Sequence, residues 1–583
     1  MNERLLEPLK YYEKMGKREH EQNVTAYFDD LLKKSKVNVE ENRATTKKYY
    51  VETATIEKLR DKLFRKKVAR VFLLITVIIG VILIIVGAYT FSSSRAWGIG
   101  LLAASALCII LPIILLKKKI NPEIRQASEK IEEHERKAKL LREEAERQMQ
   151  PLNALFDNTD TLRLIEKTLP DFAFDDYFTP RNEDFMLHEH DFVKTSSSKT
   201  SVIGTLSGRF AGNPFLYTDT RVFKMGTYTY HGTLVISWTE RYRDDKGRMR
   251  TRLRTQTLYA QLTKPKPEYY TEKTLFYGSQ AAPELSFSRV PKHSERLTEK
   301  QLQRKIKKGA KKLKRKAEKA TQKGGHFQEM TNAEFDVLFG AENRNHEVQF
   351  RVMYTPLAQC NTVDLLTSKT GYGDDFHFHK QRRMNTITSE HAQGWVMDTS
   401  PARYYSFDVD KARKNFIAIN TEYFKSLFFD FAPLLSIPAY VETPCASLES
   451  IEEYDGNYTS YEHEALANAM GAQQFAHPAT ATQSILKTRL LGKSGEEDRV
   501  AVTALSFAAE NRIDFVPVLG GDGKVHPVPV PWVEYLPLEN TAEICIQRVP
   551  ASMLECQKLR NQGDTKLAGA TCFHGMAGRL MSR

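Results

Sequence analysis

Two uninterrupted apolar runs dominate the pattern of the chain. Residues 71–91 (VFLLITVIIGVILIIVGAYTF) and 96–116 (AWGIGLLAASALCIILPIILL) each hold 21 residues without a charge. A bilayer core takes about 20 apolar residues in a helix. A buried core helix would account for one such run. Two in tandem, both with charged ends, predict a transmembrane helical hairpin. The first run begins too late for a signal peptide, and no small-residue cleavage site follows it, so both spans are expected in the mature protein.

The polar flanks set the expected orientation. Lys58, Arg60, Lys62, Arg65, Lys66, Lys67 and Arg70 precede the first run; Lys117, Lys118, Lys119 and Arg125 follow the second. Basic flanks stay on the cytoplasmic side. Both termini are therefore expected in the cytoplasm, with only Ser92-Ser93-Ser94-Arg95 outside. Such a loop is too short for a folded extracellular receptor site. The spans carry no Asp, Glu, Lys, Arg or His, so one copy offers no proton relay or ion path, and an anchor is expected. Gly80, Gly87, Gly98 and Gly100 would let the helices pack closely.

Beyond the second span, Ile120, Ile124, Ala127, Ile131, His134, Ala138, Leu141, Ala145, Gln148, Leu152 and Leu155 step by four and three. This is a heptad seam, weakened by His134 and Gln148. Tyr49, Glu52, Ile56, Leu59 and Leu63 form a shorter seam before the first span. The two extensions must emerge side by side, which predicts an antiparallel cytosolic coiled-coil stalk of about 45 Å. A pairing between chains, giving a homo-oligomer, fits the same seam. Pro122 predicts a break at the membrane surface. Residues 1–36, with Tyr11, Tyr12, Tyr27, Phe28, Leu31 and Leu32, read as a further amphipathic helix.

From about residue 157 the pattern turns to alternation. Residues 228–243 and 248–262 alternate with period two around Asp244-Asp245-Lys246-Gly247, a hairpin. Pairing Arg243 with Arg248 predicts Tyr242 opposite Met249, Trp238 opposite Leu253 and Ile236 opposite Thr255. Leu234, Ile236, Trp238, Tyr242, Met249 and Leu253 would then form the core face. Arg241, Arg243, Arg248, Arg250, Arg252 and Arg254 would share the other. Like charges facing each other destabilise a sheet, so the arrangement invites an anionic partner; charges that merely keep a hairpin soluble would look the same.

Residues 297–320 predict a basic helix with a thin stripe of Leu302, Ile306, Ala310, Leu313, Ala317 and Ala320. Lys307, Lys308, Lys311, Lys312, Lys314 and Arg315 lie on its other faces, and Gly324-Gly325 ends it. Such a helix gains about 1 kcal/mol per Lys/Arg near an anionic leaflet; nucleic-acid phosphates would be met by the same pattern. Further on, 347–354 and 414–419 read as strands, and 356–366 and 421–431 as helices. Residues 513–519 and 524–530 flank Gly520-Gly521-Asp522-Gly523, a turn that lacks the context and the Lys of a phosphate loop.

The fold class is thus α+β: a transmembrane helical hairpin, a coiled-coil stalk, and a mixed cytosolic body rich in antiparallel hairpins. The expected segments are a helical N-terminal region (1–70), the hairpin (71–116), the stalk (117–156), an α+β unit (157–290), the basic helix (291–325), a second α+β unit (326–443), a β-rich extension (444–549) and a weakly ordered tail (550–583).

Charge sharpens this picture. The 583 residues carry +13, but residues 292–323 alone hold fourteen Lys/Arg against three Glu, and 241–254 seven against two Asp. The remainder is slightly acidic. Two local patches imply specific anionic neighbours. The six cysteines include no CxxC pair, which excludes a disulfide scaffold or a zinc ribbon and fits a reducing cytosol.

Four segments in order are familiar: GTLSGRFAGNPFLY (204–217), YHGTLVISWTERYRDD (230–245), FRVMYTPLAQC (350–360) and FIAINTEYFKSLFFDFAPLL (416–435). They resemble an uncharacterised family of bacterial two-span membrane proteins with a cytosolic domain of unknown function, over roughly 70–440. The basic helix and residues 444–583 depart from that pattern. The resemblance implies a bacterial cell-membrane location and a LemA-type membrane protein as partner, and supplies no catalytic residues.

Chemistry is sparse. His377 and His379 would point the same way from a strand near Asp374 and Asp375, a weak candidate for a metal site and for a membrane-tethered metal-dependent hydrolase. His188-Glu189-His190 lacks metalloprotease spacing. No GxSxG and no cysteine with a helper histidine stands out, and no cofactor motif occurs. The expected function is a membrane-anchored scaffold or adaptor facing the cytoplasm, with a tethered enzyme or a nucleic-acid-binding membrane protein as alternatives.

Overall fold

The computed structural model describes residues 6–91, 95–194, 197–243, 247–325, 327–445, 457–562 and 569–581. It is a mixed α+β structure with two long apolar helices and two antiparallel sheets. The chain divides into two compact units. One comprises residues 26–156 and 401–418; the other comprises 1–25, 157–400 and 419–583.

The helical unit is built on Val39–Phe91 and on Arg95–Leu115, which continues through a π-helical turn (Leu116–Ile120) into Asn121–Asn153. Pro122 therefore does not break the chain's helical course. It sits in the first turn after the π segment, where its missing N–H is tolerated. Ser92–Ser94, part of the expected outer loop, lie outside the described residues.

The polar ends of these helices pack antiparallel. Ile56, Ile131 and Ala138 are buried, with Tyr49, Leu59 and Leu63 against them. The two polar residues in the seam find partners on the facing helix. His134 Nδ1 lies 2.6 Å from Glu52 Oε2, and Gln148 donates to Thr45 Oγ1 and accepts from Asn42. Arg60–Glu135 at 2.7 Å and Lys66–Glu123 add ion pairs along the same interface.

The apolar parts behave differently. They are exposed on nearly every face, with Ile85 at 66% and Leu107 at 69%. Both helices are long and apolar enough to cross a membrane. Gly80 is used for close approach, since a Cβ there would meet Ile109 at 2.6 Å; Gly100 has nothing within 4 Å.

The larger unit holds twelve described strands. β1 (Phe172–Phe174), β2 (Thr200–Phe210), β3 (Asn213–Arg243), β4 (Met249–Gly278), β5 (Ser286–Arg289), β6 (Phe376–Gln381) and β7 (Met384–Ser389) form one sheet in the order β1-β2-β3-β4-β7-β6-β5. β8 (Ile485–Ser494), β9 (Glu497–Leu519), β10 (Val525–Arg548), β11 (Thr571–Phe573) and β12 (Met576–Leu580) form the other, ordered β11-β12-β10-β9-β8. The main core is aromatic. Phe172, Phe210 and Phe215 from the first sheet surround Phe431, and Tyr12 stacks on Phe428.

Two expected strands are helical. Residues 347–354 form the helix Glu347–Met353, capped by His346; Phe350 and Met353 are buried while Val348 and Val352 are exposed. The two valines, four residues apart, lie on its exposed face. Residues 414–419 lie inside one helix, Val409–Leu435, where Phe416, Asn420, Phe424 and Leu427 are buried at helical spacing. The tail expected to be weakly ordered forms the helix Met553–Asn561 and strands β11 and β12. β12 pairs with Ile544–Arg548 of β10 and buries Met576 and Ala577. Strands this short carry too few residues to show a period.

Candidate anion-binding surfaces and a buried acidic cavity

The long ribbon β3–β4 pairs Arg243 with Met249, one residue away from the register read in the sequence. That shift exchanges the two faces of one strand relative to the other. Tyr242 now faces Arg250, Glu240 faces Arg252 and Trp238 faces Arg254. The expected single face of six arginines is not formed. Arg250, Arg252 and Arg254 share a face with Glu240, Tyr242, Trp238 and Ile236. Arg241 and Arg243 share the other with Met249, Thr251 and Leu253.

Near the tip, neither face forms a core. Met249 is 62% and Leu253 73% exposed, and the described arginines are exposed. Two of them meet an acid within the ribbon. Arg252 Nε and Arg254 Nε donate to Glu240 Oε2 at 2.6 and 2.8 Å, and these bonds hold the Glu240 carboxyl below its usual range. Arg252 also lies 5.1 Å over the Tyr242 ring.

The reason the tip stands clear lies in the second ribbon. Val516, Val518, Val528 and Val530 of β9–β10 pack on Ile236, Leu258 and Ala260 of β3–β4. The Gly520-Gly521-Asp522-Gly523 turn ends this contact: Gly521 N–H donates to Gln256 Oε1 at 2.7 Å, and Gly521 sits against Trp238. Gly523 takes φ +76°, the left-handed conformation that glycine adopts without strain. The basic end of β3–β4 lies beyond this turn.

The basic helix spans Glu299–Gln322 and opens with a Thr298–Gln301 capping box. Its thin apolar stripe is not available to a bilayer. Leu302 and Leu313 are buried in the body, and Gly309 lies so close to Val337 that a Cβ would meet it at 2.5 Å. Lys307, Lys308, Lys311, Lys312, Lys314 and Arg315 are exposed. Lys312 lies 3.3 Å from Glu342, which Lys316 also contacts.

His377 and His379 project from the exposed face of β6. Asp374 and Asp375 turn inward instead. Asp374 binds the buried Arg289 and accepts from Ser294; Asp375 accepts from His391 Nδ1 at 2.7 Å. The expected His/Asp cluster is not formed, and among the described residues no group of three or more His, Cys, Asp or Glu is placed to hold a metal ion.

The structure brings together groups that spacing did not reveal. A cavity of about 140 Å³ is lined by Thr159, Arg163, Glu166, Asp175, Glu462 and His574, among others. Glu462 is wholly buried. Its Oε1 accepts from Phe178 N–H and Thr205 Oγ1, both at 2.8 Å, while Oε2 has no hydrogen-bond partner. Burial pushes this carboxyl up to about 7. Asp175, also raised by burial, accepts from Ser207 Oγ and Asn182 Nδ2. The clue in the sequence was a Glu-His-Glu run (462–464) inside a helix of otherwise small and apolar residues.

Cys445 also acquires a histidine. Its Sγ donates to Asn213 Oδ1 at 2.8 Å and lies 3.4 Å from His190 Nε2. Burial raises this thiol to about 11 and lowers His190 to about 4. The pair is therefore a neutral thiol beside a neutral imidazole, a poor nucleophile at neutral pH.

No family model, curated protein or solved structure matches the chain.

Proposed function

We propose that this protein is a membrane-anchored scaffold or adaptor of the bacterial cell membrane, facing the cytoplasm. One observation carries the reading: the apolar helical segments within Val39–Phe91 and Arg95–Leu115 expose large aliphatic side chains on nearly all sides. A core helix buries such residues, whereas a lipid-facing helix exposes them. The lysines and arginines flanking both segments put the two termini on the cytoplasmic side. The antiparallel pairing around Ile56 and Ile131 acts as a coiled-coil stalk. The exposed cations of the basic helix and the arginine-bearing ribbon end meet anionic headgroups of the inner leaflet or an acidic partner surface, and a LemA-type membrane protein is the partner to seek.

The test uses the whole chain, reconstituted into vesicles with its larger portion outside. Lysine acylation, read by peptide mass spectrometry, is compared in zwitterionic and anionic lipid. Protection of Lys307, Lys308 and Lys311 by anionic lipid, relieved by salt, supports the reading. Equal labelling in both lipids removes the headgroup contact. Digestion of the C-terminal portion by protease added to intact spheroplasts removes the cytoplasm-facing account.

A further inference from the structure

The two stacked ribbons of the larger unit have unlike outer faces. Val516, Val518, Val528 and Val530 turn toward β3–β4, so the odd-numbered positions from 513 to 519 and from 525 to 531 face outward. None of those eight positions holds a polar or charged side chain. Ile513 is 60% exposed, Phe515 65%, Leu519 67% and Val525 62%. The far side of β3–β4 is built otherwise: Thr233, Ser237, Thr239, Thr251, Thr255 and Thr257 recur along it. Threonines suit a solvated face, whereas a contiguous exposed apolar face marks an interaction surface.

Two features say what covers it. First, the side of β3–β4 that packs on β9–β10 continues past the glycine turn, where it carries Trp238, Tyr242, Arg250, Arg252 and Arg254 with one acid, Glu240. Beyond the turn this side faces as the outer face of β9–β10 does, set back by the spacing of stacked sheets, about 10 Å. An apolar step thus lies beside an aromatic and cationic one. Apolar side chains entering the acyl region, with aromatic rings and cations at headgroup depth, are what a membrane interface accommodates. Second, Gly520 N–H donates to Lys524 O, and by alternation the nitrogens of Pro527, Pro529 and Pro531 point away from β9, toward an edge that no described strand covers. A strand edge otherwise carries unpaired N–H groups, which are costly where water does not reach them. Three such donors are missing here.

We propose that the outer face of the β9–β10 ribbon inserts shallowly into an anionic bilayer surface, with the arginines of β3–β4 on the headgroups beside it. This contact rests on the membrane-anchored reading above and adds an apolar insertion, on a different ribbon, to the charge contacts given there. Three arginines against one glutamate leave the set-back step cationic, so anionic headgroups are required. The two helices long and apolar enough to cross a membrane belong to the same chain, so insertion is intramolecular and needs only a small affinity of its own.

The whole chain, reconstituted with its larger portion outside, tests this in vesicles of phosphatidylcholine alone or mixed with phosphatidylserine. Both carry a phospholipid with a diazirine in its acyl chain, and adducts are located by peptide mass spectrometry. The two spans should be labelled in either lipid. Residues 513–519 and 525–531 should be labelled about five-fold more with phosphatidylserine, the gain from one arginine at an anionic leaflet, and salt should abolish the difference. Phe515→Ser combined with Leu519→Ser should remove this labelling and leave thermal melts unchanged, since both side chains are exposed. Labelled spans with 513–531 unlabelled overturn the inference and leave the anchor in place. Unlabelled spans overturn the anchor, and this contact with it. Phe515→p-benzoylphenylalanine should cross-link to lipid; a cross-link to a second copy of the chain or to another protein in its place also overturns the inference.

Discussion

Gly232 of β3 lies directly beneath Pro529 of β10: a Cβ at residue 232 would stand 2.1 Å from the Pro529 carbonyl oxygen and 2.8 Å from Val530 Cγ2. The neighbour across the ladder is Ala260, also small. The two ribbons approach where both strands of one lack bulk. Gly232→Ala should push the valine layer off Ile236 and Leu258, at a cost of about 1–3 kcal/mol. Denaturant melts of the purified variant check this, with fluorescence of Trp238 and Trp532 reporting the ribbon contact.

Glu462 makes stability depend on pH in a defined direction. Its folded carboxyl titrates at about 7 against an ordinary 4.5. The folded state therefore binds more protons between those values. Its contribution is fully present below about pH 4.5 and is lost as pH rises through about 7. The loss approaches about 3 kcal/mol. Glu462→Gln keeps an oxygen for Phe178 N–H and Thr205. It should melt higher than the parent at pH 8, and the difference should vanish near pH 4.5.

Lys380 provides the opposite slope. It is fully buried on β6, its Nζ donates to Ala281 O at 3.0 Å, and burial lowers it from 10.5 to about 7. Here the unfolded chain binds more protons, so stability is present above about pH 10.5 and is lost as pH falls through about 7. The full loss is about 5 kcal/mol. Lys380→Met forfeits the bond to Ala281, worth about 1 kcal/mol. It should still be the more stable protein at pH 7, with an advantage that shrinks toward pH 10. Thermal melts across that range decide the matter.

The prolines of β10 obey one parity. Gly520 N–H donates to Lys524 O, so the even-numbered pairs of this ribbon are the hydrogen-bonded ones. Pro527, Pro529 and Pro531 are odd, opposite Pro517, Phe515 and Ile513, and their nitrogens point away from β9. They face an edge along which, among the described residues, no further strand pairs with 525–540. Changing all three to Thr should leave the ribbon intact but restore N–H donors to that edge. Size-exclusion chromatography should then show self-association that the parent lacks.

The larger periodic features were legible in the sequence. The apolar runs, both long hairpins, the basic helix and the facing seams all rest on many residues obeying one period. Where the structure departs from the sequence pattern, the signal rests on few residues. Val348 and Val352 fit a strand as well as a helix, because a spacing of four puts two residues on one face of either. The β3–β4 register turned on whether Arg248 belongs to the strand or to the loop, and that one residue redistributed all six arginines. The Glu462 cavity joins residues far apart in sequence, so only the tertiary structure brings them together.

The overhang of β3–β4 past the glycine turn has a consequence for how such a protein can change. Seven residues per strand, from Ser237 to Arg243, carry the tip about 20 Å beyond Gln256. Inserting or deleting a residue pair in each strand would alter that span by about 7 Å while keeping the buried side chains buried. A single-residue change in one strand would invert the hairpin's inside and outside. The reach of this arm is therefore adjustable in discrete increments, much like a ruler marked only at every second division.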